Sequence, residues 1–306
     1  ILVEWLRCWL FTGFPWNLLG YAFGFNLELS QAASIFGVLG LSVIVLYISI
    51  MPAFWLLKQN KLFLSHTIIG LAILLAMYVF GHFRLQNNPT EFTDLSVRLV
   101  QPSIPQDKKW DVDEFLAGFT RHLHLSQEPT SNKPRLLIWS ESALPLDINK
   151  NPAVLNVIAD CLEEGQILLT GATNQDQYQQ AQYVGMYAIN DYGTIIAQYH
   201  KTHLVPFGEY VPWKSILPIR KLTHGLLDFT AGRGEQKLQL LGLKISPLIC
   251  YEIIFPQEVR LKSLGTDVMI NITNDAWFGR SIGAYQHFYT ARMRSIENGL
   301  PLLRVA

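Results

Sequence analysis

Ser246-Pro247-Leu248-Ile249-Cys250-Tyr251-Glu252-Ile253-Ile254 reads as the end of a buried strand that runs directly into polar chemistry. The mainly apolar run from Leu240 to Ile249 predicts one or two buried strands, interrupted near Gly242 and Lys244. It delivers Cys250, followed at once by Tyr251 and Glu252. An isolated cysteine in this setting is either a small buried hydrophobe or a nucleophile, and the stretch by itself leaves both open. Two other segments have the same build, an apolar strand carrying a charge at its end: Leu136-Leu137-Ile138-Trp139-Ser140-Glu141 and Ile195-Ile196-Ala197-Gln198-Tyr199-His200-Lys201. Taken singly, Glu141 and Lys201 read as solvated surface charges. A carboxylate, an ammonium and a thiol, each at a strand end, together make a candidate site.

Around these segments, residues from about Asp94 onward have the composition of an α/β domain. Strands are predicted over 96–101, 135–139, 167–172, 183–190, 194–199 and 267–272, with helices over 110–125, 153–164, 256–262 and 284–297. The turn Asn190-Asp191-Tyr192-Gly193 joins two of the strands as a hairpin. Strands alternating with helices, together with hairpins, predict a sheet architecture of mixed strand direction.

The N-terminal part is different. Half of the 306 residues are hydrophobic and only 16% are charged, and the excess is local. No charged residue lies between Glu28 and Lys58, and none lies between Lys61 and Arg84 apart from the titratable His66 and His82. A helix needs roughly 20 apolar residues to cross a hydrocarbon core. Two transmembrane helices are therefore expected, at about 33–57 and 62–82. Before them, Thr12-Gly13-Phe14-Pro15-Trp16 and the following Asn17-Leu18-Leu19-Gly20-Tyr21 suggest a re-entrant or interfacial loop, with an ordinary aromatic interface belt as the other reading. The link Lys58-Gln59-Asn60-Lys61 carries two lysines, and such links stay on the cytoplasmic side, so the residues after Arg84 are expected on the opposite face. The expected division is a membrane part over 1–83 and a catalytic domain over 84–306. The chain opens at Ile1 and stops in what reads as an unfinished strand, so it reads as a piece of a longer protein, its domain truncated at the C-terminus.

Several function classes drop out. Formal net charge is zero and no long basic run exists, which argues against nucleic acid as a partner. Cys8, Cys161 and Cys250 are an odd number without CxxC spacing, which argues against a disulfide framework and a structural zinc site. His200 and His203 flank Lys201 on a strand pattern, so no metal is expected there. No Gly-x-Ser-x-Gly elbow surrounds Ser140 or Ser142, which argues against a serine hydrolase. Asn274 and Asp275 read as residues that shape a turn.

Glu141, then Lys201, then Cys250, each after an apolar strand, resembles the Glu-Lys-Cys triad of the nitrilase (carbon-nitrogen hydrolase) superfamily. The local words are similar to its membrane branch, the apolipoprotein N-acyltransferases. They are Trp139-Ser140-Glu141-Ser142-Ala143-Leu144-Pro145, the run from His200 through Pro206-Phe207-Gly208-Glu209-Tyr210 to Pro212, Ile249-Cys250-Tyr251-Glu252 and Asn274-Asp275-Ala276-Trp277-Phe278-Gly279. Thr12 to Trp16, and Gln101-Pro102-Ser103-Ile104-Pro105-Gln106 with Trp110, belong to the same set.

The resemblance implies a nitrilase-like four-layer αββα sandwich following transmembrane helices. It implies Glu141 as general base, Lys201 as oxyanion stabiliser and Cys250 as nucleophile, with Glu209, Tyr251 and Glu252 in support, Trp110 and Trp16 handling substrate, and no cofactor. The implied reaction moves a fatty acyl chain from a phospholipid donor, phosphatidylethanolamine, through a Cys250 thioester to the N-terminal amine of a diacylglyceryl-cysteine apolipoprotein. The implied place is the bacterial inner membrane, multi-pass, with the catalytic domain on the periplasmic side. Phe207 and Trp277 are expected in core packing, with lining or gating of the entry as the other reading. Two competing readings are a membrane-tethered amidase or nitrilase with the same triad, and a non-catalytic membrane protein that binds lipoproteins.

Overall fold

A long stretch without charge satisfies its backbone away from water by forming helix, and the computed structural model of the protein shows that outcome twice. The structure describes residues 1–105, 112–176, 178, 180–214, 228–234 and 236–306. The chain divides into two compact units, one of residues 1–92, 254–260 and 285–300, the other of residues 93–253, 261–284 and 301–306.

In the first unit, short helices α1 (Leu2–Leu6) and α2 (Leu27–Ser30) flank 3-10 turns at Leu10–Thr12 and Leu19–Phe25. Helices α3 (Ala33–Leu56) and α4 (Asn60–Asn87) follow. Both are long and apolar enough to cross a membrane, and few of their residues are buried inside the chain, unlike core helices of a water-soluble protein. Helix α4 runs past both ends of the expected span. Tyr47 Oη and His66 Nδ1, 2.8 Å apart, join α3 to α4. Helix α3 breaks at Gly37, whose φ of 61° and ψ of 174° suit a residue without Cβ. The break strips Val38 N–H of a helical acceptor, and Glu297 Oε1 accepts it instead at 2.6 Å.

In the second unit the strand and helix order is β1 (Val97–Val100), α5 (Val112–Ser126), β2 (Leu136–Trp139), β3 (Leu144–Asp147), α6 (Pro152–Cys161), β4 (Ile167–Asp176), β5 (Ala181–Asn190) and β6 (Ile195–His200). These strands form one sheet in the order β1-β2-β4-β5-β6, with β3 paired to β4. Strands β7 (Leu238–Leu240), β8 (Leu243–Ile249), β9 (Val268–Ile272) and β10 (Leu302–Val305) form a second, ordered β10-β9-β8-β7. Its parallel steps β8 to β9 and β9 to β10 require crossovers, which helices α7 (Pro256–Ser263) and α8 (Gly283–Asn298) supply. The fold class and the mixed strand direction agree with the expectation.

Side-chain alternation along the strands separates two cores. Leu136, Ile138, Leu169, Met186 and Tyr199 of the first sheet share one cluster with Ile245, Ile249, Ile270 and Ile272 of the second, which packs sheet on sheet. Their neighbours Leu137, Trp139, Leu168, Tyr187 and Ile189 point the other way, into a cluster with Phe119 of α5 and Ile158 of α6.

The structure adjusts several boundaries. The interruption expected near Gly242 and Lys244 is a hairpin turn at Leu241-Gly242, both with positive φ, and Lys244 lies inside β8. Strand β3 was not expected, because its four residues include Pro145 and give no alternating pattern. Strand β4 extends four residues beyond the predicted Ala172, held there by its antiparallel partner β5.

Candidate active site

Strand ends of both sheets deliver the three candidate side chains, all within the second unit. Glu141 follows β2 by one residue, Lys201 follows β6 directly, and Cys250 follows β8 directly. Local packing fixes each one. Glu141 N–H donates to Thr273 O at 3.4 Å, and the turn lies so close to β4 that a Cβ at Gly171 would fall 1.9 Å from Glu141 O. Lys201 is tied on both sides, its N–H donating to Val184 O at 2.9 Å and its carbonyl accepting Gly232 N–H at 2.8 Å. Cys250 has φ of +49°, the left-handed region, which costs a residue with Cβ roughly 1–3 kcal/mol and persists only where the surroundings over-determine it.

The ammonium of Lys201 is 1% exposed and sits between two carboxylates. It donates to Glu209 Oε1 at 2.7 Å and to Glu141 Oε1 at 3.4 Å. Glu209 is itself held by Val205 N–H, which donates to its second oxygen at 2.7 Å. Burial alone would pull the Lys201 pKa down, but the charges of Glu209 and Glu141 outweigh it and hold the group cationic, above the ordinary lysine range. Burial, then the like charge of Glu141, pushes Glu209 up, tempered by Lys201. The Cys250 thiol is pushed up to about 12, first by burial and then by the Glu141 charge, against the pull of Lys201 and a hydrogen bond from Thr273.

Of the supporting candidates, Tyr251 is buried, with its ring edge-on to His203 at 5.6 Å. Glu252 is fully buried, and one of its oxygens accepts Ile249 N–H at 2.8 Å. Burial works to raise Glu252, yet the Lys262 charge and several hydrogen bonds hold it down at about 2. Trp16 belongs to the other unit, where its Nε1 donates to Gln286 Oε1 at 2.8 Å and its ring stacks on Phe14. Trp110 lies outside the described residues. Trp277 is half exposed, which corrects the expectation of core packing for it.

Two groups escaped the sequence reading. Thr273 is fully buried, hydrogen-bonds Cys250, and its Oγ1 lies 3.3 Å from Asp275 Oδ1. Asp275 pairs in turn with Arg304 of β10 at 2.6 Å, so it does more than shape a turn. Lys262 was the second omission. In sequence both look like ordinary polar positions of a strand end and a helix, and only the tertiary contacts single them out.

A carbon-nitrogen hydrolase family model matches residues 96–306. The chain belongs to the carbon-nitrogen hydrolase family. An apolipoprotein N-acyltransferase N-terminal domain model matches residues 1–51 of this family member. Relatives named apolipoprotein N-acyltransferase include those of Rickettsia prowazekii (strain Madrid E), 47% identical over 315 residues, and Brucella suis biovar 1, 41% identical over 321 residues. Each alignment covers 100% of this chain, and 62% and 60% of the respective relative. That of Rhodopseudomonas palustris is 38% identical, covering 99% of the chain and 60% of the relative. The chain thus spans about 62% of the length of the first of these relatives.

Within a carbon-nitrogen hydrolase, such geometry has a definite chemical capacity. A thiol with so high a pKa is no standing thiolate, so nucleophilic attack needs a base that takes its proton as the bond forms. A desolvated ammonium at the same place is preorganised to meet negative charge on an acyl oxygen.

Proposed function

We propose that the full-length protein is an apolipoprotein N-acyltransferase and that Glu141, Lys201 and Cys250 are its catalytic triad. The observation that carries this reading is that similarity to proteins of that name runs the whole length of the chain, through the apolar helices as well as the site. In the first step Glu141 takes the Cys250 proton as sulfur attacks the sn-1 ester carbonyl of phosphatidylethanolamine. Lys201 stabilises the oxyanion, an interaction whose loss costs about 3–4 kcal/mol in comparable sites. The carbon–oxygen bond then breaks, Glu141 returns the proton to the leaving lysophospholipid oxygen, and a thioester remains on Cys250. In the second step the N-terminal amine of a diacylglyceryl-cysteine apolipoprotein attacks the thioester. Its proton passes through Glu141 to the departing sulfur, and an amide is released.

Glu209 acts by holding Lys201, and Tyr251 and Glu252 by shaping the nucleophile turn. Trp110 and Trp16 are proposed to handle the lipid substrates. Because both substrates are lipids, catalysis belongs at a bilayer surface. The lysine-bearing link 58–61 favours the cytoplasmic side for itself and the periplasmic side of a bacterial inner membrane for the catalytic domain.

The deciding experiment is intact-protein mass spectrometry of the full-length protein after incubation with phosphatidylethanolamine, beside Cys250→Ala. A gain of one fatty acyl mass on the wild type only is expected. No adduct on a demonstrably reactive thiol, with ammonia released from small amides, would replace the transferase by an amidase.

A further inference from the structure

Cys250 holds a backbone conformation that side chains disfavour, and one carboxylate reaches the chain on either side of the reaction centre. Glu252 Oε2 accepts Ile249 N–H at 2.8 Å, closing the turn around Cys250. Glu252 Oε1 accepts Thr202 N–H at 2.9 Å and His203 N–H at 3.2 Å, directly after Lys201. The same oxygen takes Thr202 Oγ1 at 2.8 Å and Tyr199 Oη at 2.6 Å. A single buried anion thus pins the nucleophile turn and the segment carrying the ammonium.

A fully buried carboxylate stays ionised only with a partner. That partner is Lys262 on α7, itself 6% exposed. Its Nζ lies 2.7 Å from Glu252 Oε1 and donates further to Thr202 Oγ1 at 2.7 Å and Tyr199 Oη at 2.8 Å. The titratable groups against Glu252 are Lys262 from α7 and Tyr199 from β6, while His203 offers its backbone N–H. Tyr199 is held neutral, its pKa raised by burial and then by the Glu252 charge, so Lys262 is the cation that balances the anion.

We propose that Lys262 is a positioning residue of the acyl-transfer site: it keeps Glu252 charged, and through Glu252 it holds Cys250 and Lys201 in register. As a positioning role for the triad, it rests on the catalytic reading above. Removing the cation takes away the largest influence that opposes burial at Glu252, so its carboxyl pKa rises, and once protonated it can no longer accept its full set of bonds. Activity then depends on two deprotonations instead of one.

The test uses full-length protein and two readouts, alkylation of the Cys250 peptide by iodoacetamide across pH 6–9 and acyl transfer from phosphatidylethanolamine. In the wild type alkylation falls about tenfold for each unit by which the pH is lowered, as for a single ionisation. In Lys262→Met it is expected to fall more steeply, towards about a hundredfold per unit below the new carboxyl pKa, with kcat of acyl transfer reduced more than KM is raised. Lys262→Arg should keep the wild-type slope, and the double variant Lys262→Met/Glu252→Gln, having no buried charge, should regain it. A wild-type slope in Lys262→Met overturns the proposal. So does an equal loss in all three variants without a change of slope, which marks a role in folding only. If the wild type alkylates normally yet accepts no acyl group, the transferase reading fails while the alkylation slopes still decide the role of Lys262.

Discussion

Cys250 shows how much of this site is decided by hydrogen atoms on single residues. Its thiol is raised to about 12 while Lys201 stays cationic beside it, so burial outweighs one nearby positive charge. Thr273 adds a smaller pull in the same direction as Lys201. Its hydroxyl lies against both Asp275 Oδ1 and the Cys250 sulfur. A hydrogen bond to an ionised group favours the ionised form, so its loss raises the pKa and moves reactivity to higher pH. Thr273→Val is therefore expected to slow iodoacetamide alkylation of Cys250 roughly tenfold at pH 8, with the deficit fading only above the variant's thiol pKa. Equal rates in the two proteins would remove Thr273 from any role at the sulfur.

At the scale of elements, the site depends on backbones that approach more closely than side chains allow. Strand β4 lies so near the Glu141 turn that Gly171 is the only residue type that fits without displacement. Gly171→Ala is expected to push the Glu141 turn away and lower acyl transfer by at least about a hundredfold, since misplacing a catalytic group by an ångström costs that much. Circular dichroism and thermal unfolding check that the sheet itself survives. Activity near the wild-type level would show that Glu141 can move and still serve. The broken helix α3 follows the same logic, because Gly37 permits the break and Glu297 supplies the acceptor that the break removes.

For the whole molecule, the proposed orientation puts the lysine link and the catalytic domain on opposite sides of the membrane. If the lysine link is cytoplasmic, a cysteine at Gln59 reacts with a membrane-impermeant maleimide only after the inner membrane is opened. A cysteine at Tyr192, exposed in the β5–β6 turn, reacts beforehand. Gln59→Cys and Tyr192→Cys, each made in a background lacking the partly exposed Cys161 and Cys250, test this in cells with a permeable outer membrane. Labelling of both before opening, or of neither, would contradict the proposed orientation.

What the sequence determined by itself was whatever is written in local pattern. Uninterrupted apolar runs announced α3 and α4, apolar segments running into a charge or a thiol announced β2, β6 and β8, and a candidate site residue follows each of these strands within two positions. Apolar periodicity is a property of neighbouring residues, so it survives without coordinates. Only tertiary structure could show that Glu209 and Glu141 share one ammonium, or that Asp275 and Thr273 join Arg304 to Cys250. The same holds for Lys262, whose place in sequence is an unremarked helix position and whose place in space is against Glu252. The physical reason is desolvation: a lysine or glutamate has the same letter at the surface and in the core, and only burial makes its partner obligatory.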